Sequence, residues 1–274
     1  MLFVMGATGR TGGAVCTGCA ATGIRAGTRS PARYDGPGEA ARFDLSDEST
    51  FASALSGCEA LFAMRPPTET SGEPFERLFT AARAAGVRRL IVSSVLGAER
   101  NRFLPHRKME AAARASGLAW VILRPADYMQ NFETVHREAI RDRSEIAVPA
   151  GQGRSAFLDV ADIGACAAAA LTGAHDGEAH ALTGPQALTM AEVADVLTEV
   201  LGRPVAYRAV SPWRFVAEER RRRPLPMALV MTALYTAQRL GLAREVTDGV
   251  ARMTGRPATP LRDYVARARL AWER

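Results

Sequence analysis

The residues best suited to chemistry stand at the amino end, where Gly6, Gly9 and Gly12 recur at intervals of three in Leu2-Phe3-Val4-Met5-Gly6-Ala7-Thr8-Gly9-Arg10-Thr11-Gly12-Gly13. Four apolar residues run into this turn, and a helix-compatible stretch, Ala14 to Ala21, follows it. Strand, tight loop and helix in that order make an anion site, because the first turn of a helix has backbone N–H groups without partners. Gly6 suits the sharp turn off the strand, Gly9 lets a phosphate approach the backbone, and Gly12 lets the helix pack against the sheet. The chemistry implied is capture of a dinucleotide's pyrophosphate. The spacing is G-x-x-G-x-x-G rather than the G-x-G-x-x-G of the standard fingerprint.

Two further groups invite chemical readings. The second strand, Ile24 to Thr28, ends in Thr28-Arg29-Ser30-Pro31-Ala32-Arg33. An NAD-preferring protein usually places an acid here to hold the ribose hydroxyls. Arg29 and Arg33 instead offer forked donors that match a 2′-phosphate, and the first nearby acid, Asp35, lies in an Asp-Gly turn. NADP(H) is therefore the expected cofactor. Cys16 and Cys19 form a C-x-x-C pair, but within the first helix and not at its start, where a thiolate would be stabilised. No second pair of ligands stands at zinc spacing, so they read as small buried side chains and no metal is expected.

The elements that must position these groups alternate. A third strand is expected at Ala41 to Leu45, a fourth at Ala60 to Met64, a fifth at Arg89 to Ser93 and a sixth at Ala119 to Leu123. Helices are expected over Glu48 to Leu55, Pro74 to Ala85 and Leu104 to Ser116 between them. This pattern predicts an α/β chain: a Rossmann doubly wound parallel sheet with a smaller, mostly helical C-terminal substrate lobe. Ligands in such sheets bind outside the carboxyl ends of the strands, where Met64, Arg65, Ser93 and Ser94 fall. The expected division is 1–127 as the dinucleotide-binding lobe, with 155–180 returning to it, and 128–154 with 181–274 as the substrate-binding lobe.

With 274 residues, 47 % hydrophobic and 23 % charged, the chain has the composition of an ordinary globular protein. Its formal charge of +6 does not point to nucleic acid, because the arginines are scattered and Lys108 is the only lysine. The one basic run, Arg220 to Arg223, follows Glu218-Glu219 and reads as a solvated helix end. No apolar stretch is long enough to cross a bilayer, and the first strand begins at once, so a cytoplasmic protein without a membrane partner is expected. A monomer or a homodimer is expected.

The opening Gly6-Ala7-Thr8-Gly9-Arg10-Thr11-Gly12, the Arg29 turn and the stretch Leu123-Arg124-Pro125-Ala126-Asp127-Tyr128-Met129-Gln130-Asn131-Phe132 together resemble the NmrA-like proteins, atypical short-chain dehydrogenases/reductases. Phe157-Leu158-Asp159-Val160-Ala161-Asp162-Ile163 and Leu182-Thr183-Gly184-Pro185 extend the resemblance across essentially the whole chain. It implies that Gly6, Thr8, Gly9, Arg10, Thr11 and Gly12 hold the diphosphate, Arg29 the 2′-phosphate, and Asp44 with Leu45 the adenine. Ala63, Met64 and Arg65 would run along the adenosine and ribose. Pro125, Ala126 and Tyr128 would flank the nicotinamide, and Asn131 would face the substrate.

One departure bears on mechanism. The superfamily's Tyr-x-x-x-Lys pair is missing: the lysine position falls on His106 and the tyrosine position on Arg102. His106 is expected either to reach the ribose or relay a proton near neutral pH, oriented by Glu110 one helical turn on, or to be a partly buried histidine without a chemical role. Tyr128, aided by Asn131, is a candidate proton donor, or else packs against the nicotinamide. A hydrophobic, aromatic small-molecule acceptor is expected, with Trp213, Phe215, Met227, Met231, Tyr235 and Trp272 available to line its pocket. The favoured reading is an NADPH-dependent reductase of quinone-like, azo or carbonyl compounds, in keeping with bacterial secondary metabolism. The alternative is a non-catalytic NAD(P)-sensing regulator acting through a protein partner, and isomerase or dehydratase chemistry stays open.

Overall fold

The computed structural model describes residues 1–273. Along the chain run β1 (Leu2–Met5), α1 (Arg10–Gly18), β2 (Ile24–Thr28), β3 (Glu39–Arg42), α2 (Phe51–Leu55), β4 (Ala60–Met64), α3 (Glu73–Ala84), β5 (Arg89–Ser93), α4 (His106–Ala115) and β6 (Ala119–Pro125). There follow α5 (Arg137–Arg143), β7 (Glu145–Val148), β8 (Arg154–Ser155), α6 (Val160–Ala170), β9 (Ala179–Leu182), β10 (Leu188–Thr189) and α7 (Met190–Leu201). The chain closes with β11 (Ala206–Ala209), α8 (Pro212–Glu219), α9 (Leu225–Arg239), α10 (Gly249–Thr254) and α11 (Leu261–Arg267). It divides into two compact units.

The first unit comprises Met1–Pro125, Val160–Leu182 and Gly249–Arg256. Its sheet has the order β3-β2-β1-β4-β5-β6-β9, and every neighbouring pair is parallel. Helices must cover both faces of a parallel sheet, and the central strands are correspondingly apolar: β1 is buried at all four positions and β4 at four of five. The strand order reverses at β1, which has β2 on one side and β4 on the other. Such a reversal opens a crevice at the carboxyl ends of the strands. Phe3, Phe62, Phe75 and Phe79 are among the unit's largest fully buried side chains.

Several boundaries differ from expectation. The third strand ends at Arg42, before Asp44-Leu45, because Asp44 closes a turn onto Ser46 and bridges to Asp47. The sixth strand continues to Pro125, whose register partner is Leu182 and whose carbonyl accepts from Leu96 N. Helix α1 ends at Gly18, with Cys19 as its capping residue. All four cysteines are free and buried, and burial pushes the thiols of Cys19 and Cys166 up to about 12. Residues 249–256, expected in the C-terminal lobe, belong to the first unit: a Cβ at Gly249 would meet the Ala181 carbonyl at 2.0 Å, so α10 lies tight on β9.

The second unit comprises Ala126–Asp159, Thr183–Asp248 and the segment from Pro257 onward. It is mainly helical, with a parallel β7–β11 pair and an antiparallel β8–β10 pair. Helix α7 starts in a reciprocal capping box between Thr189 and Glu192. Phe215, Met231, Tyr235 and Trp272, expected to line a pocket, are buried in this unit's core. Trp213 (83 % exposed) and Met227 (44 % exposed) do reach the surface. Trp213 sits on an apolar groove of about 440 Å³ between α8 and α9. No helix among the described residues is long and apolar enough to cross a membrane.

Candidate active site

In the first unit the glycine turn follows β1 at the reversal in strand order. Gly6 has φ +70°, a left-handed conformation that glycine adopts without steric penalty, and its carbonyl accepts from Gly9 N at 2.9 Å. Gly9 caps α1 in extended conformation without a side-chain bond, so Arg10, Thr11 and Gly12 form the helix's opening turn. A Cβ on Gly12 would stand 2.2 Å from Gly6 O, so helix and turn touch backbone to backbone. Thr8, Gly9 and Arg10 are exposed, whereas Thr11 and Gly12 are buried.

Arg29 and Arg33 are exposed at the end of β2, and neither is held in an ion pair among the described residues. Asp44 lies within electrostatic reach of Arg29. Hydrogen bonds from Ser46 hold its carboxyl below the usual range, and Arg29 and Arg42 add to the effect. Leu45 is buried beside it, and Ala63 is buried in β4. Met64 closes over the turn: its Sδ would lie 3.1 Å from a Cβ on Gly6. The Arg65 guanidinium folds back on its own loop, donating to the carbonyls of Pro66 (2.9 Å), Pro67 (3.2 Å) and Glu69.

His106 opens α4, and its Nε2 accepts from Arg65 Nε at 3.4 Å. Burial, assisted by the Arg65 charge, lowers its pKa to about 4. The ring is therefore neutral at neutral pH and a weak base, which disfavours the proton relay expected of it. With Nε2 accepting, the proton sits on Nδ1, which is buried and has no partner among the described residues. A neighbouring oxygen ligand would satisfy it.

Glu110 does not orient His106. Its carboxylate takes Arg124 Nε at 3.0 Å and Nη2 at 2.7 Å, and Ser94 Oγ at 2.6 Å. Burial alone would raise the Glu110 carboxyl, but these bonds outweigh it and leave it below the ordinary value. The Ser94 hydroxyl is thereby turned into the protein; Ser93 beside it is also buried. Lys108, the one lysine, donates to Thr70 O at 3.1 Å and so fastens a loop.

In the second unit Ala126 to Asn131 forms a turn pinned to the segment before α6: Leu158 N donates to Asp127 O at 2.8 Å and Met129 N to Leu158 O at 3.0 Å. Within it Asp127 Oδ1 accepts from Tyr128 N at 2.9 Å and Asn131 Nδ2 at 2.7 Å. Asn131 thus steadies Asp127. Burial raises the Asp127 carboxyl to about 6, against the pull of those two bonds. Asp127 was not singled out from the sequence as a chemical residue. The signal available was an acid between the alanine and tyrosine of the Pro125 turn. Deeper in this unit His136 Nε2 and Tyr235 Oη lie 2.6 Å apart, and burial lowers His136 to about 4.

A parallel sheet with a glycine turn and a helix N-terminus at its reversal point defines a dinucleotide-binding protein of the Rossmann type. Residues 1–241 match the sequence profile of the NmrA-like family. The chain belongs to that family. It is 34 % identical over 277 residues to a (4-alkanoyl-5-oxo-2,5-dihydrofuran-3-yl)methyl phosphate reductase of Streptomyces griseus, covering 97 % of each chain. It is 32 % identical to an NAD(P)H azoreductase of Xenophilus azovorans, covering 81 % of this chain and 79 % of that one. Among solved structures, the NADPH complex of an Escherichia coli NADPH-dependent quinone oxidoreductase superposes with a TM-score of 0.86 at 26 % identity, covering 98 % of this chain and 99 % of the other.

Proposed function

We propose that the chain is an NADPH-dependent reductase that passes hydride to a hydrophobic, aromatic acceptor of the quinone, azo or conjugated carbonyl kind. The observation that carries this is the pairing of the glycine turn at the β1 reversal with Arg29 and Arg33, which follow neighbouring β2 and have no ion pair among the described residues. The residues present fit the dinucleotide on two further counts: the opening turn of α1 lacks a side-chain cap, and His106 Nδ1 is a buried donor without an acceptor among the described residues. In this reading Gly6 and Thr8 to Gly12 hold the diphosphate, and Arg29 with Arg33 the 2′-phosphate. Asp44 and Leu45 meet the adenine, and Ala63, Met64 and Arg65 line the adenosine. Ser93, Pro125 and Ala126 line the nicotinamide end, and His106 donates to a ribose hydroxyl.

When bound, the reduced nicotinamide supplies the hydride, and the chain's task is chiefly to orient donor and acceptor. Quinone and azo acceptors can take their proton from water. A carbonyl acceptor gains from a positioned acid, and Asp127 is the group we assign to that step, since a carboxyl raised to about 6 holds a proton in mildly acidic solution. Asn131 keeps that carboxyl aimed, and Tyr128 packs on the acceptor ring. The names of the relatives, an azoreductase, a quinone oxidoreductase and a reductase of an oxo-dihydrofuran, support this acceptor class.

The test is NADPH oxidation by the purified protein across quinones, azo dyes and aromatic ketones, with NADH in parallel. Turnover of at least one class, faster with NADPH than NADH, is expected. Saturable NADPH binding with no turnover across the panel would favour a sensor instead.

A further inference from the structure

We propose that His175, Glu178 and His180 bind one divalent transition-metal ion of the zinc class, at a site distinct from the dinucleotide turn. One ligand atom from each of the three lies within 4.8 Å of the others. Glu178 Oε2 is 3.0 Å from His180 Nε2 and 3.5 Å from His175 Nδ1. For Zn²⁺ bonded to nitrogen and oxygen at ~2.1 Å, the edge of a ligand tetrahedron is ~3.4 Å. The two measured separations bracket that value.

A second observation points the same way. His180 is only 5 % exposed, and its Nε2 is buried without a hydrogen bond among the described residues. The nearby Glu178 oxygen is within ion-pair distance, yet the pair fails the directional requirement of a hydrogen bond. A buried imidazole nitrogen beside a carboxylate with no hydrogen bond between them is the arrangement that a cation between them would satisfy. Two imidazoles and a carboxylate are a donor set that suits Zn²⁺ and its neighbours in the first transition row.

The local fold prepares this geometry. His175 and Glu178 lie in the loop from α6 to β9, and Glu178 N donates to His175 O at 3.1 Å, which brings the two side chains to one side of a tight turn. The loop's other acid, Asp176, is taken up by Arg89 through two 2.8 Å bonds, and Arg89 also reaches Leu171 O. The loop is therefore held in shape without the metal. The rings of His175 and His180 stand 5.0 Å apart and nearly perpendicular. Arg252 on α10 acts electrostatically on His180 and opposes a cation, whereas the Glu178 charge favours one. Glu178 is half exposed, which leaves room for water as a fourth ligand. The three residues sit at the start of β9, and the glycine turn lies beyond the carboxyl end of β1, so the ion would clamp the edge strand to its loop and take no part in hydride transfer.

The experiment is titration of chelator-treated full-length protein with Zn²⁺ by calorimetry, and with Co²⁺ by visible absorption. One equivalent bound per chain, a tetrahedral Co²⁺ spectrum, and affinity at least roughly tenfold weaker in each of Glu178→Gln and His175→Asn are expected. Both substitutions lie outside the core, so folding is preserved where a His180 substitution would threaten it. No saturable uptake, or uptake of unchanged strength in both variants, overturns the proposal.

Discussion

Replacing Gly12 by alanine tests the geometry on which dinucleotide binding rests. The added Cβ would lie 2.2 Å from Gly6 O, 2.6 Å from Gly6 C and 3.0 Å from Ala7 Cα, all of them backbone atoms that cannot swing aside. Ordinary contact begins at 3.4 Å, so α1 and the turn must part by ~1.2 Å. Overpacking of this kind costs about 1–3 kcal/mol of stability. The same displacement carries the N–H groups of the opening turn away from a bound phosphate. Loss of one hydrogen bond to a charged group is worth about 1.5–3 kcal/mol, or roughly 10- to 100-fold in Kd. Gly13→Ala is the matched control, since its Cβ meets Ala7 O at 3.4 Å, and helix propensity favours alanine there by about 1 kcal/mol. NADPH fluorescence titration and urea unfolding of both variants provide the readout. If Gly12→Ala binds NADPH and unfolds as Gly13→Ala does, the close approach of turn and helix is not what shapes the site.

Other expectations follow from single contacts. Arg29→Ala should weaken NADPH binding about 10- to 100-fold and leave NADH binding nearly unchanged, as competitive titrations would report. Glu110→Ala leaves Arg124 with Glu99 as its remaining ion-pair partner among the described residues and should cost about 1.5–3 kcal/mol in chemical denaturation, with Glu110→Gln losing less. Because the folded Glu110 carboxyl lies below its unfolded value of ~4.3, its contribution is present above that pH and is lost as pH falls through the folded value; Glu110→Gln should remove that part of the acid transition. Asp127 has the opposite sign. Its carboxyl is raised to about 6 from an unfolded value of ~3.9, so its contribution is present below ~3.9 and fades as pH rises through about 6. Carbonyl turnover should fall over the same range, and Asp127→Asn should slow ketones about tenfold or more while sparing quinones; equal effects on both would exclude the acid role. His106→Asn should weaken NADPH binding without shifting any kinetic pKa between pH 5 and 8, because the native ring is neutral throughout.

What could be seen in the sequence was local. Gly6, Gly9 and Gly12 announce a strand-to-helix turn because the constraint they relieve lies within a dozen residues, and the structure sets Gly6 at positive φ with Gly12 against its carbonyl. Alternation of apolar strands with helices likewise sufficed for the parallel sheet, since burial on both faces leaves continuous apolar runs such as Leu61-Phe62-Ala63. Side-chain partnership was less visible. Helical spacing suggests Glu110 for His106, yet Arg124 reaches that carboxylate from β6 with two hydrogen bonds, and a bidentate charged pair outcompetes a neighbour one turn away. Arg65, from the end of β4, is what meets His106. The same limit hid Asp127, whose raised pKa comes from burial that no spacing rule reports. The aromatic side chains show the converse: Phe215, Tyr235 and Trp272 look like pocket lining by type alone, but a mainly helical unit needs large residues to fill its own centre, and it takes these three. Residue type and spacing thus place backbone-determined features such as the glycine turn, whereas the protonation and pairing of site side chains depend on which strands the fold brings together.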